Sequence, residues 1–553
     1  MSSTKNVRPI IGLTVVFSLA VGIGIWVGTS LVKVPYTLPK DSALTKVTQK
    51  FGDILAHIQE DYVEDDVDMQ ALSEEAITKM LKQLDPHTVY ITAQELAKNS
   101  MELQGELDGI GVNLTLLKGE VYIIAPISGG PSESVGIKPG DKILKVDNQD
   151  VALQGGNPVL EDVAKKLRGP KGTTVKLTIS RKNQQEPLEF VVTRDTIPFY
   201  SVDVSYMINH DIGYIKISRF SPNTHKEFKA AFSSLKKQGM SKMLLDLRSN
   251  PGGYVYEAVQ IVNKVLSPGK LIVYSKGKTE KYNAKYHAKG EDLLNECPII
   301  VLIDEGTASA AEIIAGALQD NDRALIVGRR SFGKGLMQAP IQLKDGSQLR
   351  LTVARYYTPS GRFIQKPYNK GVDEYNAELI KRFKQGEYFR TDNIQLDETL
   401  KYQTSKKRIV YGGGGIMPDY FTPLDASAET IYLYQLNQFT QRYALEYTDQ
   451  YRDKLSTMTL EQYQAQFTVS DFMLSQVTTR AAKAGCQVEE AVLLAAKERI
   501  KLRLKACIAR NIWQEQGFYP IYHQDDDELQ NALKLFDEAE ALLKQPQSEE
   551  ALP

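Results

Sequence analysis

Residues 299–312 read IIVLIDEGTASAAE. The five apolar residues 299–303 are typical of a short buried strand, and the run from Ala310 to Leu318 is typical of a helix. A glycine-containing turn separates the two, so Ser309 stands at the carboxyl end of the strand and the amino end of the helix. Backbone N–H groups and the helix dipole favour an oxyanion at such a point, which makes Ser309 a candidate nucleophile. The alternative is that Ser309 only caps the helix.

Two neighbouring segments extend this pattern into a sheet. Residues 243–247 and 324–327 are also short apolar runs, and a helical run at 255–265 follows the first of them. The resulting β-α-β-α-β order predicts a parallel core with right-handed crossovers. Because the carboxyl ends of parallel strands meet at one edge of a sheet, reactive groups from the three connections are expected there.

Lys334 is the candidate base for Ser309, because the sequence offers no histidine in an obvious position for that role. It lies in the segment SFGKG, residues 331–335, just after the third strand. A neutral amine accepts a proton, and burial lowers the pKa of a lysine from about 10.4 toward about 7. Taken alone, Lys334 fits an exposed loop better.

The segment NPGG, residues 250–253, ends the strand at 243–247. Its glycine N–H groups would meet the N–H of Ala310 across the strand ends and stabilise negative charge on a substrate oxygen. The alternative is a structural turn.

Composition excludes several classes of function. The 553 residues suggest three or four folded units. Lysine and arginine number 67 and aspartate and glutamate 68, so nothing in the charge balance favours a nucleic-acid partner. The six histidines are scattered, without an H-E-x-x-H or C-x-x-C pattern, and we predict neither a metal site nor a cofactor. Cys486 and Cys507 either pair in an exported protein or remain buried thiols, the third cysteine being Cys297.

The amino terminus predicts a membrane anchor. The 24 residues between Arg8 and Lys33 carry no charge, and as a helix they extend about 36 Å, enough to cross a bilayer. We therefore predict a single transmembrane helix at 10–32, with residues 1–9 in the cytoplasm by the positive-inside rule. The catalytic part would then be exported across the inner (cytoplasmic) membrane, into the periplasm or another extracytoplasmic space. A cleaved signal peptide is the alternative.

The rest of the chain falls into four predicted regions. They are an amphipathic helical unit at 42–104, a β-rich module at 105–195, the α/β domain at 196–425 and a helical extension at 426–553. The extension contains long helical runs at 481–509 and 529–543, and no motif in it indicates a role.

Several segments, in order from about residue 50 to 425, resemble the carboxyl-terminal processing peptidases, or tail-specific proteases. The segments are LDPH (84–87, with Thr88 where serine is usual), GIGV (109–112), LRGPKG (167–172), LDLRSNPGG (245–253), GTASAAE (306–312), FGKG (332–335) and YGGGGIMPD (411–419). The resemblance implies a serine endopeptidase with a crotonase-like α/β core and an inserted PDZ domain that binds the carboxyl terminus of a protein substrate.

The resemblance also implies roles for individual residues. Ser309 would be the nucleophile, Lys334 the general base and Gln338 the residue that orients the lysine. The oxyanion hole would consist of the N–H of Ala310 with Gly252 or Gly253. In the PDZ domain, the implied carboxylate-binding residues are Gly109, Ile110, Gly111 and Arg168, although Arg168 fits an ordinary surface arginine equally well.

Two other functions remain open at this point. One is a non-catalytic PDZ scaffold, which would bind tails without turnover. The other is a crotonase-like enzyme that acts on an acyl thioester, which the PDZ module and the predicted export disfavour. The amphipathic units at both ends also suggest a homo-oligomer.

Overall fold

The structure is a computed structural model. It describes residues 43–96, 106–117, 119–127, 129–151, 160–182, 184–198, 200–290 and 296–545. The chain divides into two compact units, residues 1–77 and 78–553, and each is described by itself. The helices near the amino terminus are α1 (Ala43–Asp61) and α2 (Met69–Leu81). Every residue of α1 is at least partly exposed, including the apolar residues Leu44, Val47 and Phe51.

The structure corrects the membrane part of the predicted fold and location. Among the residues that it describes, no helix is both long enough and apolar enough to cross a bilayer. The two longest helices, Ala428–Ser456 and Glu490–Tyr522, have sufficient length but contain several charged residues. The segment 10–32, predicted as the anchor, lies outside the described residues. The fold is therefore restated as mixed α/β with a β-rich module and a carboxyl-terminal helical region, and the inner-membrane location is withdrawn.

The β-rich module is a small sheet with one helix beside its edge strand. Its elements are β2 (Glu106–Gly109), β3 (Val112–Leu117), β4 (Glu120–Pro126), α3 (Pro131–Ser134), β5 (Lys142–Val146), β6 (Gln149–Asp150), α4 (Leu160–Leu167), β7 (Thr174–Ser180), β8 (Leu188–Thr193) and β9 (Asp195–Pro198); β1 (Val89–Ile91) precedes them. The strand order is β3-β4-β5-β7-β8, so β3 is an edge strand. Its free edge lies near α4.

The α/β domain contains the predicted parallel sheet. Its elements are β10 (Val202–Met207), β11 (Ile212–Ile217), α5 (Thr224–Lys237), β12 (Lys242–Asp246), α6 (Val255–Val262), β13 (Leu271–Gly277), β14 (Ala284–His287), β15 (Ile299–Ile303), α7 (Ala310–Asp320), β16 (Leu325–Gly328), β17 (Leu336–Gln342), β18 (Gln348–Tyr357), α8 (Val372–Lys384), β19 (Lys401–Gln403), β20 (Ile409–Tyr411) and β21 (Tyr420–Phe421). The order β10-β11-β12-β15-β16-β21 is parallel except at β10. The parallel arrangement of β12, β15 and β16 is thus confirmed.

The carboxyl-terminal helices complete the core of this domain. They are α9 (Ala428–Ser456), α10 (Leu460–Gln466), α11 (Asp471–Lys483), α12 (Glu490–Tyr522), α13 (Asp527–Leu533) and α14 (Phe536–Lys544). Leu529 and Phe536 pack with Leu244 and Ile300 on one face of the parallel sheet. Parallel strands are usually buried on both faces, and here α13 and α14 supply part of the second cover. The extension is therefore part of the folded domain.

The helical region also contacts the β-rich module. Lys182 forms an ion pair of 3.7 Å with Asp449 on α9. The Asp449 carboxylate lies directly against Gly140, where a Cβ atom would collide with it. Cys297, Cys486 and Cys507 are all free thiols, so the pairing left open for the latter two is not formed.

Candidate active site

Ser309 occupies a strained turn between β15 and α7. Its backbone has φ 54° and ψ −116°, a conformation that side-chain-bearing residues rarely adopt. Such a turn lifts the hydroxyl above the end of the strand, at the amino end of the helix. The order of strand, turn, serine and helix predicted from the sequence is confirmed.

Ser309, Lys334 and Gln338 line one open cavity of about 510 Å³. The other lining residues are Leu96, Pro251, Gly252, Gly253, Tyr254, Pro340, Gln348 and Arg350. All three predicted catalytic residues are partly exposed to this space. No histidine is found among the described residues that line it.

Glu312 connects the loop of Ser309 with the loop of Lys334. Its buried carboxylate accepts hydrogen bonds from the N–H groups of Ser309 (2.8 Å), Gly333 (2.7 Å) and Lys334 (2.8 Å), and from the hydroxyl of Ser331 (2.6 Å). Burial raises the pKa of Glu312 to about 7, while these hydrogen bonds lower it. One carboxylate thus holds both loops.

The environment of Lys334 favours a neutral amine. Burial lowers the pKa of Lys334 below its ordinary value, opposed by the negative charge of Glu312 and assisted by the positive charge of Arg350. The hydroxyl of Tyr356 donates to the carbonyl of Lys334 and, at 3.2 Å, to that of Ser309. Tyr356 therefore holds the backbone of both residues in place.

The two glycines after β12 differ in what their N–H groups do. The N–H of Gly252 donates to Oδ1 of Asn250 at 2.8 Å, so it is already satisfied. The N–H groups of Gly253 and Ala310 have no acceptor among the described residues. Gly252 lies so close to Ser309 that a Cβ atom on it would be 2.7 Å from the Ser309 Cβ. The free N–H groups of Gly253, from this loop, and of Ala310, from the start of α7, thus lie on either side of Gly252 and Ser309.

Gln338 lies four residues after Lys334, on β17 opposite Thr352 of β18. Its Nε2 is buried and has no hydrogen-bond partner in the described part of the chain. A buried amide group without a partner is costly, and it is common where a substrate or a catalytic group completes the site.

The loop from Gly109 to Gly111 joins β2 to β3 in the β-rich module. The carbonyls of Ile110 and Gly111 accept N–H bonds from Ser132 and Ile127, at 3.0 and 2.9 Å. The N–H groups of Ile110 and Gly111 have no acceptor among the residues that the structure describes. Two free amides thus lie at the start of the edge strand β3.

Arg168 stands at the end of α4, beside this loop. A Cβ atom built on Gly109 would lie 3.9 Å from the Arg168 Cγ, so the two residues are adjacent. The structure leaves Arg168 half-buried.

Sequence reasoning missed Glu312, Tyr356 and Asn250. For Glu312 a signal existed, because Ser309-x-x-Glu312 is the pattern of a capping box, in which the glutamate returns to the N–H of the first residue. For Asn250 the signal was also local, because an asparagine two residues before a glycine can accept its N–H in an Asx turn. Nothing in the sequence indicates the contacts of Tyr356, which depend on how distant segments meet.

The fold and the cavity define a serine peptidase that carries a small β-rich module. Comparison with known families agrees with this class. The profile of peptidase family S41 matches residues 211–374, and the PDZ domain profile matches residues 109–192. A family of unknown function, DUF8443, matches residues 432–514.

Two curated relatives give the same result. The carboxy-terminal-processing protease of Bartonella bacilliformis is 36% identical over 348 residues, which cover 62% of this chain and 78% of that protein. The carboxy-terminal processing protease CtpB of Bacillus subtilis is 32% identical over 403 residues, covering 70% and 80%. A solved photosystem II D1 C-terminal processing protease has 30% identity and TM-score 0.32, and the match covers 56% of this chain and 83% of that one. This chain belongs to peptidase family S41 and is a serine peptidase with a PDZ domain, so the scaffold and acyl-thioester hypotheses are set aside.

Replacing Gly252 with alanine should lower kcat at least about a hundredfold, because the new Cβ displaces Ser309 and small misplacements of reacting groups are costly. The measurement is kcat on a peptide substrate. Gly269→Ala is the matched control: Gly269 also has positive φ (84°), but no atom of the described residues lies within 4 Å of its Cβ position. The control should lose about 1–2 kcal/mol of stability and keep its kcat. A normal kcat for Gly252→Ala would contradict the geometry.

Proposed function

We propose that this chain binds the carboxyl-terminal tail of a protein substrate in its PDZ domain and cleaves the substrate as an endopeptidase with Ser309 and Lys334. The observation that carries the proposal is the shared cavity of Ser309, Lys334 and Gln338. The free N–H groups of Gly253 and Ala310 beside Ser309 also support the proposal.

The chemistry proceeds through an acyl-enzyme. Ser309 Oγ attacks the peptide carbonyl carbon while its proton passes to the neutral Nζ of Lys334. The tetrahedral intermediate collapses, the C–N bond breaks, and Lys334 returns the proton to the departing amine. Water then gives a proton to Lys334 and attacks the ester, which releases the new carboxyl terminus and restores Ser309.

Three neighbours assist this sequence. The N–H groups of Gly253 and Ala310 stabilise the oxyanion, and such donors are typically worth about 10²–10³ in kcat. The N–H of Gly252 is bound to Asn250 and is not free for the oxyanion. Gly252 contributes instead by having no side chain, which lets the loop lie close to Ser309. The amide oxygen of Gln338 orients the Lys334 amine by accepting one of its N–H groups, which leaves the lone pair of the amine free for the Ser309 proton.

The substrate tail docks beside the edge strand β3. Its terminal carboxylate accepts hydrogen bonds from the free N–H groups of Ile110 and Gly111, with Gly109 shaping the entry of the loop. The tail then adds a strand between β3 and α4, as peptides do when they extend an open sheet edge. Arg168, beside Gly109, adds positive charge near the carboxylate.

Amidating the substrate tail should raise KM at least about tenfold with little change in kcat, because the charged acceptor for the Ile110 and Gly111 amides is lost. The measurement compares two peptides that share the sequence and an apolar tail, one with a free carboxyl terminus and one amidated. Acetylating the amino terminus of the same peptide is the control and should change nothing. Equal KM values for the free and amidated tails would contradict tail capture.

Activity should fall as the pH drops below about 7. Lys334 acts as a base only when neutral, and Glu312, whose pKa is raised to about 7, holds both loops fully only as a carboxylate. Protonation of either group therefore removes activity, so kcat/KM should rise from pH 5.5 toward 9. Circular dichroism at each pH checks that the protein stays folded. A maximum below pH 6 in folded protein would contradict a lysine base.

Self-association through the amphipathic units, suggested by the sequence, stays a prediction.

A further inference from the structure

Residues 526–528, which form the start of α13 and are called the acidic turn below, reach the catalytic loops of the protease. Nη1 and Nη2 of Arg248 donate to the two carboxylate oxygens of Asp526 at 3.0 and 2.8 Å. Nη1 of Arg248 also donates to Glu528 at 3.0 Å. Asp526 and Glu528 belong to the carboxyl-terminal helical region, beyond the segments that the three family profiles match.

Arg248 begins the loop that carries Gly252 and Gly253. Its guanidinium is also held by Asp246 at the end of β12, with Nη2 to Oδ2 at 2.7 Å. The next residue, Ser249, has φ 59° and donates its N–H to Asp304 at 2.7 Å. The start of the oxyanion loop is therefore fixed by the side chain of Arg248.

Glu528 has a second partner, on a different loop. It forms an ion pair with Arg329, which follows β16 and lies five residues before Lys334. Nε of Arg329 donates to Glu305 at 2.8 Å, in the turn that leads to Ser309. One carboxylate from the helical region thus connects the oxyanion loop with the base loop, and through Arg329 with the nucleophile turn.

The charged side chains of this cluster are largely buried, so each is stabilised by its partner of opposite charge. The side chains of Arg248 and Arg329 are 16% and 6% exposed, and those of Asp526 and Glu528 are 10% and 13% exposed. A charge left without its partner in such a place is strongly unfavourable, so the loops would move to restore contact with water. The geometry of the loops thus depends on the acidic turn.

We propose that Asp526 and Glu528 are positioning residues of the active site, which hold Arg248 and Arg329 and thereby set the distance between the oxyanion loop and the Lys334 loop. This inference rests on the proposed function. It gives the carboxyl-terminal helical region a part in catalysis that is distinct from substrate binding.

The test uses Glu528→Gln and Asp526→Asn, singly and together, in the 553-residue chain. Both substitutions keep the size of the side chain, and asparagine at 526 keeps the cap of α13, where Asp526 accepts the N–H of Leu529. Asp527→Asn is the control, because Asp527 is an exposed carboxylate in the same turn. Measured are kcat and KM on a tail peptide, tail affinity, and the rate at which a small phosphonate labels Ser309.

We expect the double variant to lose about 10- to 100-fold in kcat per labelled site, with a parallel loss in the labelling rate. KM and tail affinity should change less than about twofold, as should every value for Asp527→Asn. Counting turnover per labelled site excludes a loss that comes only from unfolded protein.

The proposal is overturned if the double variant turns over normally per labelled site, or if its loss appears in tail affinity alone. Glu528→Gln serves the same purpose if the double variant does not fold. If the proposed function itself is wrong, the result is different, because Ser309→Ala would then still cleave the peptide.

Discussion

Ser309→Ala and Lys334→Met are each expected to lower kcat/KM at least about a thousandfold while leaving tail affinity unchanged. In the proposed mechanism, the serine variant lacks the attacking oxygen and the lysine variant lacks the group that takes its proton. Residues that act as a unit lose nearly all their effect when one is removed, so the double variant should be no worse than either single one. The assay compares cleavage of a tail peptide with its binding to the same proteins.

Lys344→Met provides the matched control for the lysine substitution. Lys344 is exposed, in the turn between β17 and β18, and its replacement should leave kcat/KM within about twofold. Cleavage by Lys334→Met at the wild-type rate would assign the base to another group. Loss of tail binding in either catalytic variant would instead place Ser309 or Lys334 in the docking site.

Glu312→Gln is expected to lower kcat about 10²- to 10³-fold. The two Glu312 oxygens each accept two bonds, one pair from Ser309 and Lys334 and the other from Ser331 and Gly333. A glutamine has one acceptor oxygen, so a buried N–H would face an amide donor and one of the two loops would move. We expect a loss in kcat because the distance between nucleophile and base is then no longer fixed.

Glu227→Gln is the control for losing a partly buried carboxylate that accepts backbone N–H groups. Glu227 lies on α5 and accepts the N–H groups of Ser201 and Val202, and burial raises the pKa of its carboxyl. This variant should lose some stability, about 1–3 kcal/mol, and keep its kcat. Similar losses of kcat in both glutamine variants would deny Glu312 any special role in joining the loops.

Glu312 also makes the stability of the protein depend on pH. Its pKa is about 7 in the folded protein against an ordinary 4.5, so between these values the folded chain binds a proton that the unfolded chain has lost. The contribution of Glu312 to the free energy of unfolding is therefore full below about pH 4.5 and falls by about 3 kcal/mol as the pH rises to about 7. Glu312→Gln should remove that fall.

The parts of the site that could be predicted are those encoded by short segments. The strand, turn and helix around Ser309 follow from residues 299–318 alone, and the parallel order of β12, β15 and β16 brings the three loops to one edge. Gly252, Gly253 and Lys334 could be predicted to lie near Ser309 because each is in the loop that follows one of these strands. Only the difference between the two glycines needed the side chain of Asn250.

The parts that could not be predicted depend on contacts between distant segments. Glu528 is 219 residues after Ser309 in the sequence, and no pattern near it indicates Arg248 or Arg329. The run predicted as helical at 481–509 is interrupted after Lys483, where Gly485 has φ 92° and ends α11. The run at 529–543 is likewise divided at Lys534, between α13 and α14. In both places turns that allow the chain to pack override helical periodicity.

The central claim is that Ser309 forms the covalent intermediate. Its most direct measurement is peptide mapping by mass spectrometry after the chain reacts with a phosphonate that carries a peptide tail. We predict a single adduct on Ser309, formed faster with a free than with an amidated tail, and absent in Ser309→Ala. An adduct on another residue, or cleavage that persists in Ser309→Ala, would contradict the claim.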